Sequence, residues 1–245
     1  MPFPLTLLQW LAAALVIMAG TVVQGSIGFG VALLGAPLLY LVDPMLVPAP
    51  MIVVGMTVPL LVFLRERRHV DPHEVLRVLP GVAVGIVAAA LVLRWVTSAT
   101  LELLFGVLVL LAVGLSLGIR PPRPGWRTLF VAGGLAGFMS ATTSIGGPPL
   151  ALVFQERRGS HLRGTLSACF IPVGVLSLVA LYWAGRLGPT QVTAGISLIP
   201  AVLVGFIISA RTARALDRGW LRGAVLGVSA VAAVMAIVRG LGWAG

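Results

Sequence analysis

The residues best placed to do chemistry are Thr142-Thr143-Ser144-Ile145-Gly146-Gly147-Pro148-Pro149. They are small, hydroxylated and helix-breaking, yet they sit in a strongly apolar neighbourhood. A weaker counterpart, Gln24-Gly25-Ser26-Ile27-Gly28-Phe29-Gly30, lies about half a chain earlier. A helix broken inside a membrane presents backbone N–H groups without intrahelical partners, and its N-terminal end carries partial positive charge. Together these make an anion site that needs no lysine or arginine. Gly28, Gly30, Gly146 and Gly147 let the backbone turn and a ligand approach closely. Pro148 and Pro149 suit the first turn of the helix that follows, where N–H groups are unpaired anyway. Ser26, Thr142, Thr143 and Ser144 add hydroxyl donors, and Gln24 adds an amide. Thr57 and Ser167, in the third apolar segment of each half, are further cavity candidates. The competing role for any one of these residues is close helix packing, the usual use of Gly, Ser and Thr in membranes.

Other chemistries find little support. Asp43, Glu66, Asp71, Glu74, Glu102, Glu156 and Asp217 all fall in loops or near the ends of apolar segments. His69, His73 and His161 fall in arginine-rich loops, where solvation is the expected role. A serine nucleophile at Ser26 or Ser144 would have no nearby base, so an enzyme is not expected. Cation and proton pathways normally show ionisable groups within the membrane, which favours a neutral or anionic substrate here. Cys169 is the single cysteine, which excludes an intramolecular disulfide and a cysteine-based metal cluster. No cofactor and no metal are expected. The glycines of the first motif would suit a dinucleotide loop only within a βαβ unit, and the pattern leaves no room for one.

The elements that must position these motifs follow from composition. Of 245 residues, 59% are hydrophobic and 10% charged, with a mean hydropathy of +1.08. Soluble domains carry about 25% charged residues. The uncharged runs are long enough to cross a bilayer, which takes about 20 residues of helix. The alternation of a membrane β-barrel is missing. The chain is therefore expected to be an all-α polytopic membrane protein. Its net charge of +10 comes entirely from arginine and is best explained by orientation in the membrane rather than by nucleic acid. No Lys or Arg precedes the first apolar stretch, Leu5 to Val23, and no small-residue cleavage site follows it. It is expected to remain as a helix rather than to be removed as a signal peptide.

Apolar segments fall at about 5–24, 31–42, 46–64, 75–93 and 99–118, and again at about 127–142, 148–155, 165–184, 189–209 and 219–238. The halves match in order. Ser26-Ile27-Gly28 recurs as Ser144-Ile145-Gly146, Asp71-Pro72 as Gly188-Pro189, and Pro80 and Gly85 as Pro200 and Gly205. This predicts a first membrane repeat over 1–119, a linker over 120–126 and a second repeat over 127–245. If every segment reverses direction, fourteen arginines fall on one side and only Arg94, Arg186 and Arg239 on the other. That asymmetry puts the fourteen in the cytoplasm and both termini outside it. Five reversals per half make the repeats inverted, an architecture common in secondary transporters. Arg127 to Gln155 is too short for two crossings of about 20 residues each, so a re-entrant hairpin with a Gly-rich tip is expected there. A deeper hairpin is expected over Leu5 to Val42.

On these residues the chain resembles the TauE/SafE family, membrane proteins of the sulfite-exporter type. The resemblance runs through nearly the whole length. It rests on the duplicated organisation, on Gly25 to Gly30, and on Gly137 to Ser140 leading into Ser144 to Leu150, with Arg163-Gly164-Thr165 and Gly205 before Arg211 also fitting. It implies transport of a small sulfur-containing or carboxylated anion, such as sulfite or sulfoacetate, across a prokaryotic inner membrane. No ATP-binding motif is present, so a gradient would drive it, most simply outward. The implied partners are that anion and the lipid bilayer, with no nucleic acid; homo-oligomerisation stays open. Two readings compete: a passive anion channel, and a membrane scaffold subunit that transports nothing.

Overall fold

The computed structural model describes residues 5–27, 31–117, 125–155, 157, 159–212 and 218–242, and every regular element among them is helical. In the first half these are α1 (Leu7–Ile27), α2 (Val31–Val42), α3 (Ala49–Gly55), α4 (Thr57–Glu66), α5 (Pro72–Trp95) and α6 (Ser98–Ser116). In the second they are α7 (Trp126–Thr143), α8 (Gly147–Phe154), α9 (Gly159–Trp183), α10 (Pro189–Ser197), α11 (Ile199–Thr212) and α12 (Arg218–Gly240). Six stretches are long and apolar enough to cross a bilayer: Leu7–Gln24, Ala49–His69, Pro72–Trp95, Ala99–Ser116, Gly159–Trp183 and Pro189–Ser209. Most of the expected linker, residues 120–124, lies outside the described residues.

These helices are apolar on both faces, as a membrane span must be. On α1, Ala13 and Ile17 are buried while Leu7, Leu8, Leu11 and Leu15 are exposed. On α5, Val78, Val82 and Ile86 are buried while Val84, Val87 and Leu91 are exposed. Exposed apolar stripes of this extent suit lipid rather than water. Trp95, Trp126 and Trp183 are exposed at helix ends, where tryptophan meets the membrane interface.

Local chemistry sets the element ends. The Asp71 side chain accepts the amides of His73 and Glu74 and so starts α5, with Pro72 in its first turn. Burial pushes the Asp71 carboxyl up, but the Glu74 and His73 amides pull harder and leave it below the usual carboxylate range. Two expected segments are each divided. The segment at 46–64 breaks at Met56 into α3 and α4, and that at 189–209 breaks at Leu198 into α10 and α11. A proline that cannot donate to the preceding turn follows each break, Pro59 and Pro200.

Helix packing is tightest where side chains vanish. A Cβ on Gly85 would stand 1.9 Å from Gly134 O, and one on Gly81 would stand 1.9 Å from Phe130 O, so α5 and α7 meet backbone to backbone. The same device recurs between α11 and α1, where a Cβ on Gly205 would stand 2.6 Å from Met18 O. Reciprocally, α2 packs against α12 and α8 against α6. The two ends of the bundle differ. At the arginine-rich end, Arg157 pairs with Glu74 and Arg163 pairs with Glu66 at 2.9 Å. At the opposite end, Arg186 donates to Leu93 O at 3.1 Å and to Val96 O at 2.9 Å.

Candidate functional site

α7 ends because Ser144 turns left-handed, with φ 66° and ψ 0°, while its N–H still reaches Ser140 O at 2.8 Å. Gly146 then lies against its own hairpin partner: a Cβ there would meet Ala136 O at 2.8 Å and the Ser140 Cβ at 3.0 Å. α8 starts at Gly147 and folds back along α7. With 8 residues it extends about 12 Å at 1.5 Å per residue. α7 and α5 start together at the arginine-rich end, and Arg157, just past α8, pairs with Glu74 in the first turn of α5. The α7–α8 unit therefore begins and finishes at the same end of the bundle. The prolines also restrict what this turn can offer a ligand. A first helical turn leaves its N–H groups unpaired, but Pro148 and Pro149 have none, which concentrates the free donors on the glycine side of the turn.

The Gln24 side chain spans the other break, between α1 and α2. Its Oε1 accepts the Val31 amide at 3.0 Å, capping the start of α2. That fixes the side-chain orientation and leaves the amide nitrogen as its remaining donor. Ser26 lies in the last turn of α1 with only its backbone described, and Gly28 and Gly30 lie outside the described residues.

Gln24 and Val31 from the first break and Ser144, Gly146 and Gly147 from the second line one cavity of about 80 Å³. The remaining wall comes from the broken α3–α4 segment, including Gly55 and Met56, and from Phe170 and Gly174 of α9. A single water needs on the order of 10–15 Å³ of such space, so the cavity admits a handful of heavy atoms. No charged side chain lines it among the described residues.

The other expected site residues are placed differently. The Thr142 hydroxyl donates to Phe138 O at 2.7 Å, and Thr142 lines a second cavity instead. The Thr143 hydroxyl donates to Met139 O at 2.7 Å and accepts the Ile145 amide at 3.2 Å, so it is engaged within its own turn. Thr57 starts α4 and Ser167 is buried in α9; neither lines the cavity, although their neighbours Met56 and Phe170 do. Ser140 lines it as well and accepts a hydrogen bond from Ser177 at 3.2 Å.

The second cavity, about 370 Å³, opens toward the opposite end and is lined by Tyr40, Pro48, Glu102, Thr142, Arg186 and Gln191 among others. A hydrogen bond joins the linings of the two cavities. The Ser144 hydroxyl, on the first cavity, donates at 3.0 Å to the carbonyl of Pro48, on the second. Sequence reasoning missed Pro48, Glu102 and Arg186, whose separate loops and helix ends carry no local signal of a shared cavity.

The family description "Sulfite exporter TauE/SafE" matches residues 12–236. The chain belongs to the sulfite exporter TauE/SafE family. No curated protein and no solved structure matches it. Membership makes the chain a multi-pass membrane protein of a sulfite/anion exporter-type transporter family. In this TauE/SafE chain the matched region takes in both helix breaks and both cavities.

Proposed function

We propose that the protein is a secondary transporter that carries a small oxyanion or organosulfonate, such as sulfite or sulfoacetate, outward across a prokaryotic inner membrane. The anion rests in the 80 Å³ cavity between the two helix breaks. The observation that carries this reading is the union in one uncharged cavity of Gln24 with the Ser144–Gly147 turn. Backbone amides at the start of α8 and the Gln24 amide nitrogen would supply the donors, and the positive end of the short helix would supply the field. A cavity with no fixed cation releases its guest more readily than one with a buried arginine, as turnover requires.

The larger cavity is the exit vestibule in this reading, and the Ser144–Pro48 hydrogen bond is the gate between the two. The arginine-rich end faces the cytoplasm and both termini face away from it, as positive-inside orientation demands. The reciprocal packing, α7 on α5 and α1 on α11, supports two inverted repeats at 1–119 and 127–245 that each hold the other's hairpin. The test is a flux screen in proteoliposomes with sulfite, sulfoacetate, sulfate and small carboxylates. Saturable flux with counterflow for one of these supports a carrier, whereas unsaturable flux would make the protein a channel. Failure of all four would remove the substrate reading.

A further inference from the structure

We propose that Asp71, Glu74 and His161 form a binding site for a divalent transition-metal ion of the Zn²⁺ type at the arginine-rich end of the bundle. Asp71 immediately precedes α5, Glu74 lies in its first turn, and His161 lies in the first turn of α9. Each offers one ligand atom, and the three atoms lie within 4.8 Å of one another.

A cluster of carboxylates alone would mean little, but here two buried atoms are orphaned. Glu74 is only 7% exposed; its Oε1 takes Arg157, while its Oε2 is buried with no partner. The Nδ1 of His161 is also buried with no partner. Buried polar atoms are nearly always satisfied. Two such atoms in one trio mark a place where an ion belongs. The carboxylates are already held in place. One oxygen of Asp71 is fixed by the His73 and Glu74 amides at 2.9 and 3.3 Å, and the other takes no part in those two bonds. Arg157 orients Glu74 from outside, as a second partner of a ligating carboxylate commonly does.

The donor set selects the metal. One imidazole and two carboxylates with a water in fourth place match zinc, with bonds of about 2.0–2.2 Å. Calcium and magnesium prefer all-oxygen shells. Ligand atoms around such an ion stand roughly 3.4 Å apart on tetrahedral geometry, so the trio closes by a little over 1 Å through side-chain rotation. The two carboxylates together match the double positive charge of the ion. An ion here ties the start of α5 to the start of α9, beside the point where α8 ends.

The test uses the full chain, free of any histidine tag, stripped with chelator and purified in detergent. Zn²⁺ is titrated against a chromophoric competitor, with Mg²⁺ as the comparison ion. One equivalent of Zn²⁺ should bind and raise the melting midpoint, and Mg²⁺ at the same concentration should do neither. His161→Gln should weaken Zn²⁺ binding at least tenfold, whereas His69→Ala should leave it unchanged. Co²⁺ should give a tetrahedral visible absorption band in the wild type that His161→Gln abolishes. His161→Gln is preferred to Glu74→Gln because it leaves the Arg157 ion pair intact, and a monodisperse elution profile shows that it folds. Wild-type Zn²⁺ affinity in His161→Gln, or no Zn²⁺ binding to the wild type at millimolar concentration, would overturn the site.

Discussion

Ser144 has two separable roles, and two substitutions divide them. Its φ of 66° puts an L-residue in the left-handed region, at about 1–2 kcal/mol. Its hydroxyl donates to the buried Pro48 carbonyl at 3.0 Å, a bond with a net value of about 0.5–1.5 kcal/mol. Ser144→Gly relieves the first and loses the second, so the two nearly cancel and the melting midpoint in detergent should stay close to wild type. Ser144→Ala keeps the strained backbone and loses the bond; because the Pro48 carbonyl still accepts the Ile52 amide at 3.0 Å, the cost is that of the bond alone, about 0.5–1.5 kcal/mol. It should melt lower. Transport should not follow that order. Both variants break the contact between the cavities, and a bond of this size biases closed over open by about 2- to 12-fold. Sulfite efflux from proteoliposomes should therefore rise by a factor in that range in both variants, at equal incorporated protein. Efflux that tracked the melting midpoint instead, impaired in Ser144→Ala and normal in Ser144→Gly, would refute the gate and leave Ser144 a purely structural residue.

Three further outcomes are expected. Gly146→Val should abolish flux while the protein still inserts and elutes as one species, because a side chain there collides with the Ala136 carbonyl of α7 and displaces the turn that lines the cavity; normal flux would rule out this turn as the site. Gly85→Ala should lower the melting midpoint by an amount corresponding to about 1–3 kcal/mol of overpacking, since its Cβ would stand 1.9 Å from Gly134 O, whereas Val84→Ala on the exposed face of α5 should change little. Cysteines placed at Asp43 and at His161 in a Cys169→Ala background should react with an impermeant thiol reagent from opposite sides of the membrane, and labelling from one side would destroy the proposed orientation.

The helical membrane character of the chain was legible from charge scarcity alone, because no soluble fold tolerates so little polar surface. The break at Ser144–Gly146 was legible too, because two glycines followed by two prolines cannot continue a helix. The breaks at Met56 and Leu198 were not. Their prolines, Pro59 and Pro200, look locally like Pro37, Pro80 and Pro172, which sit inside intact helices. What decides between a bend and a break is the packing around the proline, and that lies outside any short window. The donors at the site were only partly legible for a related reason. Thr142 and Thr143 are buried hydroxyls, and they donate to the carbonyls of their own preceding turn. Gln24 is longer and reaches across the break to Val31 instead. Pro48 and the Asp71–Glu74–His161 trio are assembled by tertiary packing between distant segments, which leaves no spacing to detect.

The same packing separates the fixed parts of the site from those free to move. α7 is locked to α5 through carbonyls that any side chain at Gly81 or Gly85 would strike, and α1 is locked to α11 in the same way at Gly205. At those glycines no side chain lies between the backbones to rearrange, so sliding there means losing the contact. α8 has a different anchorage. It is held by the turn at Gly146, by apolar side-chain contact with α7, α6 and α9, and at its far end by the Arg157–Glu74 pair. Apolar contact tolerates small shifts better than backbone apposition does, and one partly exposed ion pair is a weak tether. Any opening of the Ser144–Pro48 contact should therefore be carried by α8 swinging against a stationary α7. Hydrogen exchange in the reconstituted protein measures this directly: the amides of Leu150 to Phe154 should exchange faster than those of Leu129 to Met139, and substrate should slow the first set alone. Equal protection of the two would mean that the hairpin moves as one body and that the glycine contacts on α5, rather than α8, must give way.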